Sequence, residues 1–139
     1  MCGIVGAVAE KDVVSILVEG LRRLEYRGYD SAGVAVVRDD NSLGLSRTVG
    51  KVAELEEKLE KAPLLGKIGV AHTRWATHGG VTEANAHPHV SGGRVAVIHN
   101  GIIENFQPIK DEMLGKGYKF DSETDTEVAA HLVHDYLKQ

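Results

Sequence analysis

The chain has 139 residues, of which 42% are hydrophobic and 26% charged, with a formal net charge of −4 and a mean hydropathy of −0.16, the composition of one globular domain. Its mild acidity gives no electrostatic reason to bind nucleic acid or an anionic membrane, and no apolar run reaches the roughly 18 residues of a membrane span. The opening stretch Met1–Ala9 lacks the basic segment of a signal peptide, and one cysteine cannot form an internal disulfide, so the cytoplasm is the expected compartment.

Ile4–Ala9 is short, apolar and interrupted by glycine, and reads as a buried strand. From Asp12 the period changes: Val14, Leu17, Leu21 and Leu24 recur every three or four residues, which predicts an amphipathic helix ended by Gly28. Gly33–Val37 and Leu43–Val49 read as strands paired across the polar turn 39–42, and Val52–Lys61 as a second helix. Ile68–Thr73 and Arg94–His99 follow as strands, and Phe106, Ile109 and Met113 share one face of a third helix that stops at Gly115 and Gly117. A further strand is expected before the last helix. That helix opens on a capping box of Thr124 and Glu127, with Val128, Leu132 and Tyr136 as its apolar stripe. The order β-α-β-β-α-β-β-α-β-α predicts a mixed α+β domain with helices packed on sheet. The 16 glycines are dispersed beside apolar runs, which points to tight turns and close backbone approaches, not a linker.

Four places could carry chemistry. Cys2 is the only cysteine and follows the initiator Met1. With Met1 removed, its α-amino group would lie beside its own thiol. The two groups ordinarily titrate at about 8 and 8.5, so one residue would supply both nucleophile and base. The bland alternative is a small residue buried at a strand head. The segment Ala71–Gly79 runs from a strand end into a polar loop, where Arg74 can grip a carboxylate and Thr77 and loop amides add donors. Equally, Arg74 could stack on Trp75 at the surface. In His99-Asn100-Gly101 the Asn side chain and the next N–H can form an oxyanion hole, but Asn-Gly is also the commonest hairpin turn. Asp125 could pair with a substrate ammonium or simply complement a helix dipole. The seven histidines, His87-Pro88-His89 among them, fit no metal-binding spacing, and no metal site is expected.

Met1–Gly6, Leu21–Gly33, His72–Gly79, Asn85–His89, His99–Asn105 and Ser122–Glu127 together resemble, in order, the glutaminase domain of the isomerizing glutamine–fructose-6-phosphate aminotransferase family, with a looser stretch between Arg38 and Gly69. That family is a branch of the class II glutamine amidotransferases, N-terminal nucleophile hydrolases with a four-layer αββα fold. The resemblance implies that Cys2 is the nucleophile after loss of Met1. Arg74, helped by Thr77 and the backbone of Trp75 and His78, would bind the glutamine α-carboxylate. Asn100 and Gly101 would form the oxyanion hole, Asp125 would hold the α-ammonium, and Arg27 and Gly28 would belong to the wall beside the nucleophile. It implies L-glutamine as substrate, no cofactor, a sugar-phosphate isomerase domain in cis or on a separate chain, and a homo-oligomer. Residues 1–139 would be the N-terminal part of a type 2 glutamine amidotransferase domain, without the isomerase domains and with the fold incomplete at its C-terminal end. The alternatives are the glutaminase of a purine-type amidotransferase and a non-catalytic glutamine-binding or dimerising remnant.

Overall fold

The computed structural model describes residues 2–77 and 79–139. Its elements are β1 (Gly3–Val8), α1 (Val14–Leu24) with a 3-10 turn at Glu25–Arg27, β2 (Ser31–Val37), β3 (Leu43–Val49), α2 (Val52–Lys61), β4 (Ile68–Arg74), β5 (His89–Ser91), β6 (Val95–Val97), α3 (Phe106–Gly115) and α4 (Glu127–Tyr136). Four strands form an antiparallel sheet in the order β1-β4-β2-β3, and β5 pairs with β6 in a second, two-stranded sheet. Helices α1 and α2 cover one face of the large sheet, while α4 packs on β5 and β6 and carries α3. The layers therefore run helix, sheet, sheet, helix.

Strand alternation decides what lies between the first two layers. Ala32, Val34 and Val36 of β2 and Ala71 of β4 point toward α1 and α2, where they meet Leu17, Leu21, Val52 and Leu55, all essentially inaccessible. The opposite face of the large sheet presents Gly33, Ala35 and Val37 of β2 and Val70 and His72 of β4. Ala35, Val37 and Val70 line an apolar cavity of about 360 Å3 together with Val95 of β6 and Val133 of α4, so the two sheets face one another there. Gly33 is the point of closest approach. A Cβ built on it would lie 1.9 Å from the carbonyl oxygen of His87, so no side chain fits between the sheet and the segment leading to β5.

Four expectations need correction. The hydrogen bonds place a strand at His89–Ser91, which three residues with a histidine and a serine do not advertise, and they shorten the next strand to Val95–Val97. No strand lies between α3 and α4 among the described residues, because side chains take the backbone donors there: the N–H groups of Asp121 and Ser122 donate to Glu127 at 2.9 and 2.8 Å, and that of Glu123 donates to Asn85 at 2.8 Å. The capping box is absent for the same reason. Helix α4 starts after Thr126 with no side-chain cap, Glu127 serves the preceding loop, and the buried face of α4 carries Val128, His131 and His134 while Tyr136 is exposed. Finally, Asn100-Gly101 does not turn a hairpin, since no strand follows it before α3.

Candidate active site

Four segments converge on one cavity of about 240 Å3. The head of β1 contributes Cys2. The end of β4 and its loop contribute Arg74, Trp75 and Thr77. The segment after β6 contributes His99 to Ile102, and the turn before α4 contributes Thr124 to Thr126. His87 completes the lining. Antiparallel pairing of β1 with β4 sets Gly3 opposite Thr73, which brings Cys2 beside the loop that follows Arg74.

The Cys2 thiol meets the backbone of Trp75. The Trp75 N–H donates to Sγ at 3.3 Å, and Sγ lies 3.7 Å from the Trp75 carbonyl oxygen. The Asn100 side-chain amide donates to the Cys2 carbonyl at 3.2 Å, which fixes Asn100 against the backbone of Cys2. Gly101 follows, and a Cβ there would come within 2.9 Å of the His99 ring.

Arg74 is 3% exposed, a guanidinium brought almost wholly inside. It donates to the carbonyls of Gly80 at 2.9 Å and Gly79 at 3.4 Å, and lies 4.0 Å from the Asp30 carboxylate. Asp30 also accepts the Ala76 N–H, at 2.5 Å, and so ties the loop after β4 back to the sheet. The next tie is made by Asn85 and Glu123. The Gly80 N–H and the Asn85 amide both donate to Glu123, at 3.0 Å each, and these bonds hold its carboxyl below the usual range. Asp125 sits in the turn before α4, nearly buried, where its carboxylate accepts the Ile103 N–H at 2.6 Å.

Behind the cavity lies a group of histidines. His72 and His87 stack with centroids 4.2 Å apart and planes at 14°, and His89 meets His87 edge-on at 4.6 Å. Burial, reinforced by each other's proximity and by Arg74, pushes His72 down to about 3 and His87 to about 2; burial likewise lowers His89 to about 4. All three are neutral at physiological pH. His89 Nε2 lies 2.7 Å from the Thr124 hydroxyl, and the nearby His99 Nδ1 lies 3.2 Å from that of Thr126, while both ring nitrogens of His72 are buried without a hydrogen-bond partner.

Of the residues singled out by sequence, Cys2, Arg74, Trp75, Thr77, Asn100, Gly101 and Asp125 line this one cavity. Arg27 and Gly28 do not: both are exposed, and Arg27 donates to the hydroxyl of its neighbour Tyr26 at 3.2 Å. His78, like Met1, lies outside the described residues. Sequence reasoning passed over the contributions of Asp30, His87, His99, Thr124 and Thr126. Nothing local flags a histidine that works from behind a cavity, and the two threonines look like ordinary helix-start residues.

A family model described as a glutamine amidotransferase domain matches residues 72–139. The chain is 62% identical over 138 residues to the isomerizing glutamine–fructose-6-phosphate aminotransferase of Pseudomonas aeruginosa, covering 99% of this chain and 23% of that protein. It is 64% identical over 138 residues to the protein of the same name from Idiomarina loihiensis, with the same coverage. Residues 72–139 of this chain match a glutamine amidotransferase domain. It spans about a quarter of the length of the curated amidotransferases that it matches. Among solved structures, it is similar to the glutamine phosphoribosylpyrophosphate amidotransferase of B. subtilis complexed with ADP and GMP, at 28% identity and a TM-score of 0.77. That match covers 96% of this chain and 29% of the other. A structure described as the allosteric regulatory enzyme of purine biosynthesis matches at 29% identity and a TM-score of 0.79, with the same coverage. The amidotransferase domain has the αββα arrangement of the N-terminal nucleophile hydrolases. Among its described residues no helix is long and apolar enough to cross a membrane.

Proposed function

We propose that this chain is the glutaminase of an isomerizing glutamine–fructose-6-phosphate aminotransferase and that it hydrolyses L-glutamine at Cys2. The observation that carries the reading is that one small cavity is lined by a thiol at the head of β1, a buried guanidinium, a buried carboxylate and an Asn-Gly pair. Glutamine offers a matching set: a carboxylate for Arg74, an ammonium for Asp125 and an amide carbonyl for Asn100 and Gly101. Thr77, with the backbone of Trp75, completes the carboxylate site.

With Met1 removed, the Cys2 α-amine takes the thiol proton and the sulfur attacks the side-chain amide carbon. The oxyanion is held by the Asn100 side chain and the Gly101 N–H. As the C–N bond breaks, the α-ammonium returns the proton to the departing amine, which leaves as ammonia. Water then adds to the γ-glutamyl thioester, and glutamate and the thiol are released. The ammonia is destined for fructose 6-phosphate on a sugar-phosphate isomerase domain, in cis or as a separate chain, within a homo-oligomer of the cytoplasm. A purine-type glutaminase is the second reading, favoured by the two solved structures; the 62–64% identity to the aminotransferases supports the first.

The test is glutamate release from glutamine by protein whose N-terminus is verified by mass spectrometry. Protein beginning at Cys2 turns over and gives a trappable thioester on Cys2, while protein retaining Met1 and the Cys2→Ala variant are inactive although folded. Full turnover by a Met1-retaining chain rejects the N-terminal nucleophile mechanism, because the Cys2 nitrogen is then an amide and accepts no proton.

A further inference from the structure

We infer that His87 is a positioning residue for the oxyanion-binding turn His99-Asn100-Gly101, an inference that rests on the glutaminase reading above. His87 lines the active-site cavity but matches no group of glutamine. What it does contact is the turn itself: its Nδ1 accepts the backbone N–H of His99 at 3.3 Å, one residue before Asn100 and two before Gly101. The oxyanion donors thus hang directly from the peptide that His87 holds.

The rest of the surroundings make His87 a fixed anchor. Its ring is clamped between the face of His72 and the edge of His89, so it cannot swing away from the turn. Its carbonyl oxygen rests on the bare Cα of Gly33 in β2, which ties its backbone to the four-stranded sheet. A rigid path therefore runs from β2 through His87 to the His99 N–H. The downstream end of the same turn is held separately, by the Ile103 N–H on Asp125 at 2.6 Å, and the side chain of His99 is placed by Thr126 at 3.2 Å. Remove the acceptor on His87 and the turn keeps those ties and the Asn100 amide's bond to the Cys2 carbonyl, but the backbone that leads into Asn100 and Gly101 loses its own anchor. The bond requires a neutral ring with its proton on Nε2 and the Nδ1 lone pair free. Burial supports that state, because it holds His87 down at about 2.

An oxyanion donor acts in the transition state, so its misplacement falls on kcat more than on KM. The experiment is glutaminase kinetics on the chain at its full natural length, beginning at Cys2, with His87→Leu and His87→Asn. Leucine removes the acceptor and keeps the volume apolar. Asparagine sets its Oδ1 about where Nδ1 sits and restores an acceptor. The expected result is a fall in kcat of about 10-fold to 100-fold for His87→Leu, the order of loss for a misplaced catalytic group, with KM within about 3-fold of the parent. His87→Asn should recover most of that loss.

Wild-type kcat in His87→Leu, a loss confined to KM, or equal loss in both variants overturns the inference while leaving the glutaminase reading intact. A parent protein that releases no glutamate overturns the glutaminase reading and this inference with it. Should His87→Leu fail to fold, nitrogen NMR of the unmodified protein decides: an unprotonated Nδ1 with the proton on Nε2 upholds the inference, and a proton on Nδ1 overturns it.

Discussion

Between the large sheet and helices α1 and α2 the buried residues are Val13, Val14, Leu17, Val18, Leu21, Val34, Val36, Val52 and Leu55. Around β5, β6 and α4 they are Asn85, His87, His89, Ser91, Ser122, Thr124, Asp125, Thr126, Glu127, His131 and His134, with few large apolar side chains among them. The first region gains its stability from area removed from water, which is non-directional and tolerates compensation. The second is a network in which each buried polar group needs a partner in a particular place: the Ser91 hydroxyl lies 2.8 Å from both His131 Nδ1 and His134 Nδ1, and Glu127 collects the donors of residues 121 and 122. The candidate site lies where the two regions meet, with Cys2 and Arg74 from the first and Asn100, Gly101 and Asp125 from the second. Geometric precision is supplied on the polar side, and a dry, rigid support on the other.

If this division holds, acid should attack the polar side first, and this is the largest effect expected. His72, His87 and His89 are held at about 3, 2 and 4 in the folded state, against about 6.5 in an unfolded chain. Below about 6.5 the unfolded chain binds protons that the folded one refuses, so stability is fully present above that pH and is lost as pH falls. Each histidine contributes up to about 1.4 kcal/mol per pH unit in this window. Glu127 adds a loss lower down. Burial alone would raise its pKa, but the His131 imidazole 3.4 Å away and bonds from Ser122 and from the backbone of residues 121 and 122 bring it to about 2, so its share disappears as pH falls from about 4.5 toward 2. Urea midpoints should hold level from pH 8 to about 7 and then fall as far as pH 5, before ordinary carboxylates titrate. A midpoint that stays flat over that range would contradict the buried neutral histidines.

The second test exchanges damage between regions. Leu17→Ala empties a fully buried site and should cost about 2–5 kcal/mol of stability, with kcat per folded molecule unchanged. Asn100→Ala, at an exposed turn, should leave the urea midpoint almost unmoved and lower kcat by about 100-fold to 1000-fold. Loss of kcat in Leu17→Ala at full folding, or an Asn100→Ala effect seen only in KM, would break the separation.

The same contrast explains what could be read from sequence. Leu17, Leu21, Val52 and Leu55 announce their helices because apolar burial leaves a period. Cys2, Arg74, Asn100-Gly101 and Asp125 were legible because their chemistry is distinctive and their segments resemble a known family in order. The polar region resisted. His131 and His134 occupy the buried face of α4, a place that hydropathy assigns to apolar residues, because the Ser91 hydroxyl lies within hydrogen-bond reach of both. Glu127 fits the spacing of a capping box with Thr124, yet its carboxylate is held by Ser122 and the N–H groups before it, while Thr124 turns to His89. The partners of His131, His134 and Thr124 lie 35 to 43 residues away, which no local period records.

Gly33→Ala probes the contact between the two regions and should destabilise the protein less than Leu17→Ala does. The backbone there is an ordinary central strand of the sheet, so an alanine meets no conformational obstacle; the obstacle is the His87 carbonyl oxygen, 1.9 Å from where the new Cβ would lie. A backbone atom cannot rotate aside as a side chain would, so the segment carrying His87 must move off the sheet. Overpacking of this kind costs typically about 1–3 kcal/mol. The apolar core on the far face of β2 is untouched, and the domain should still fold. If the site is supported from the sheet through this contact, kcat should drop in Gly33→Ala more than in Leu17→Ala, even though Leu17→Ala is the more destabilised protein. Thermal melts and glutamate-release kinetics on the two variants make the comparison. Equal kcat in both, with Gly33→Ala destabilised, would mean that the polar region holds its own geometry and needs nothing from the sheet beneath it.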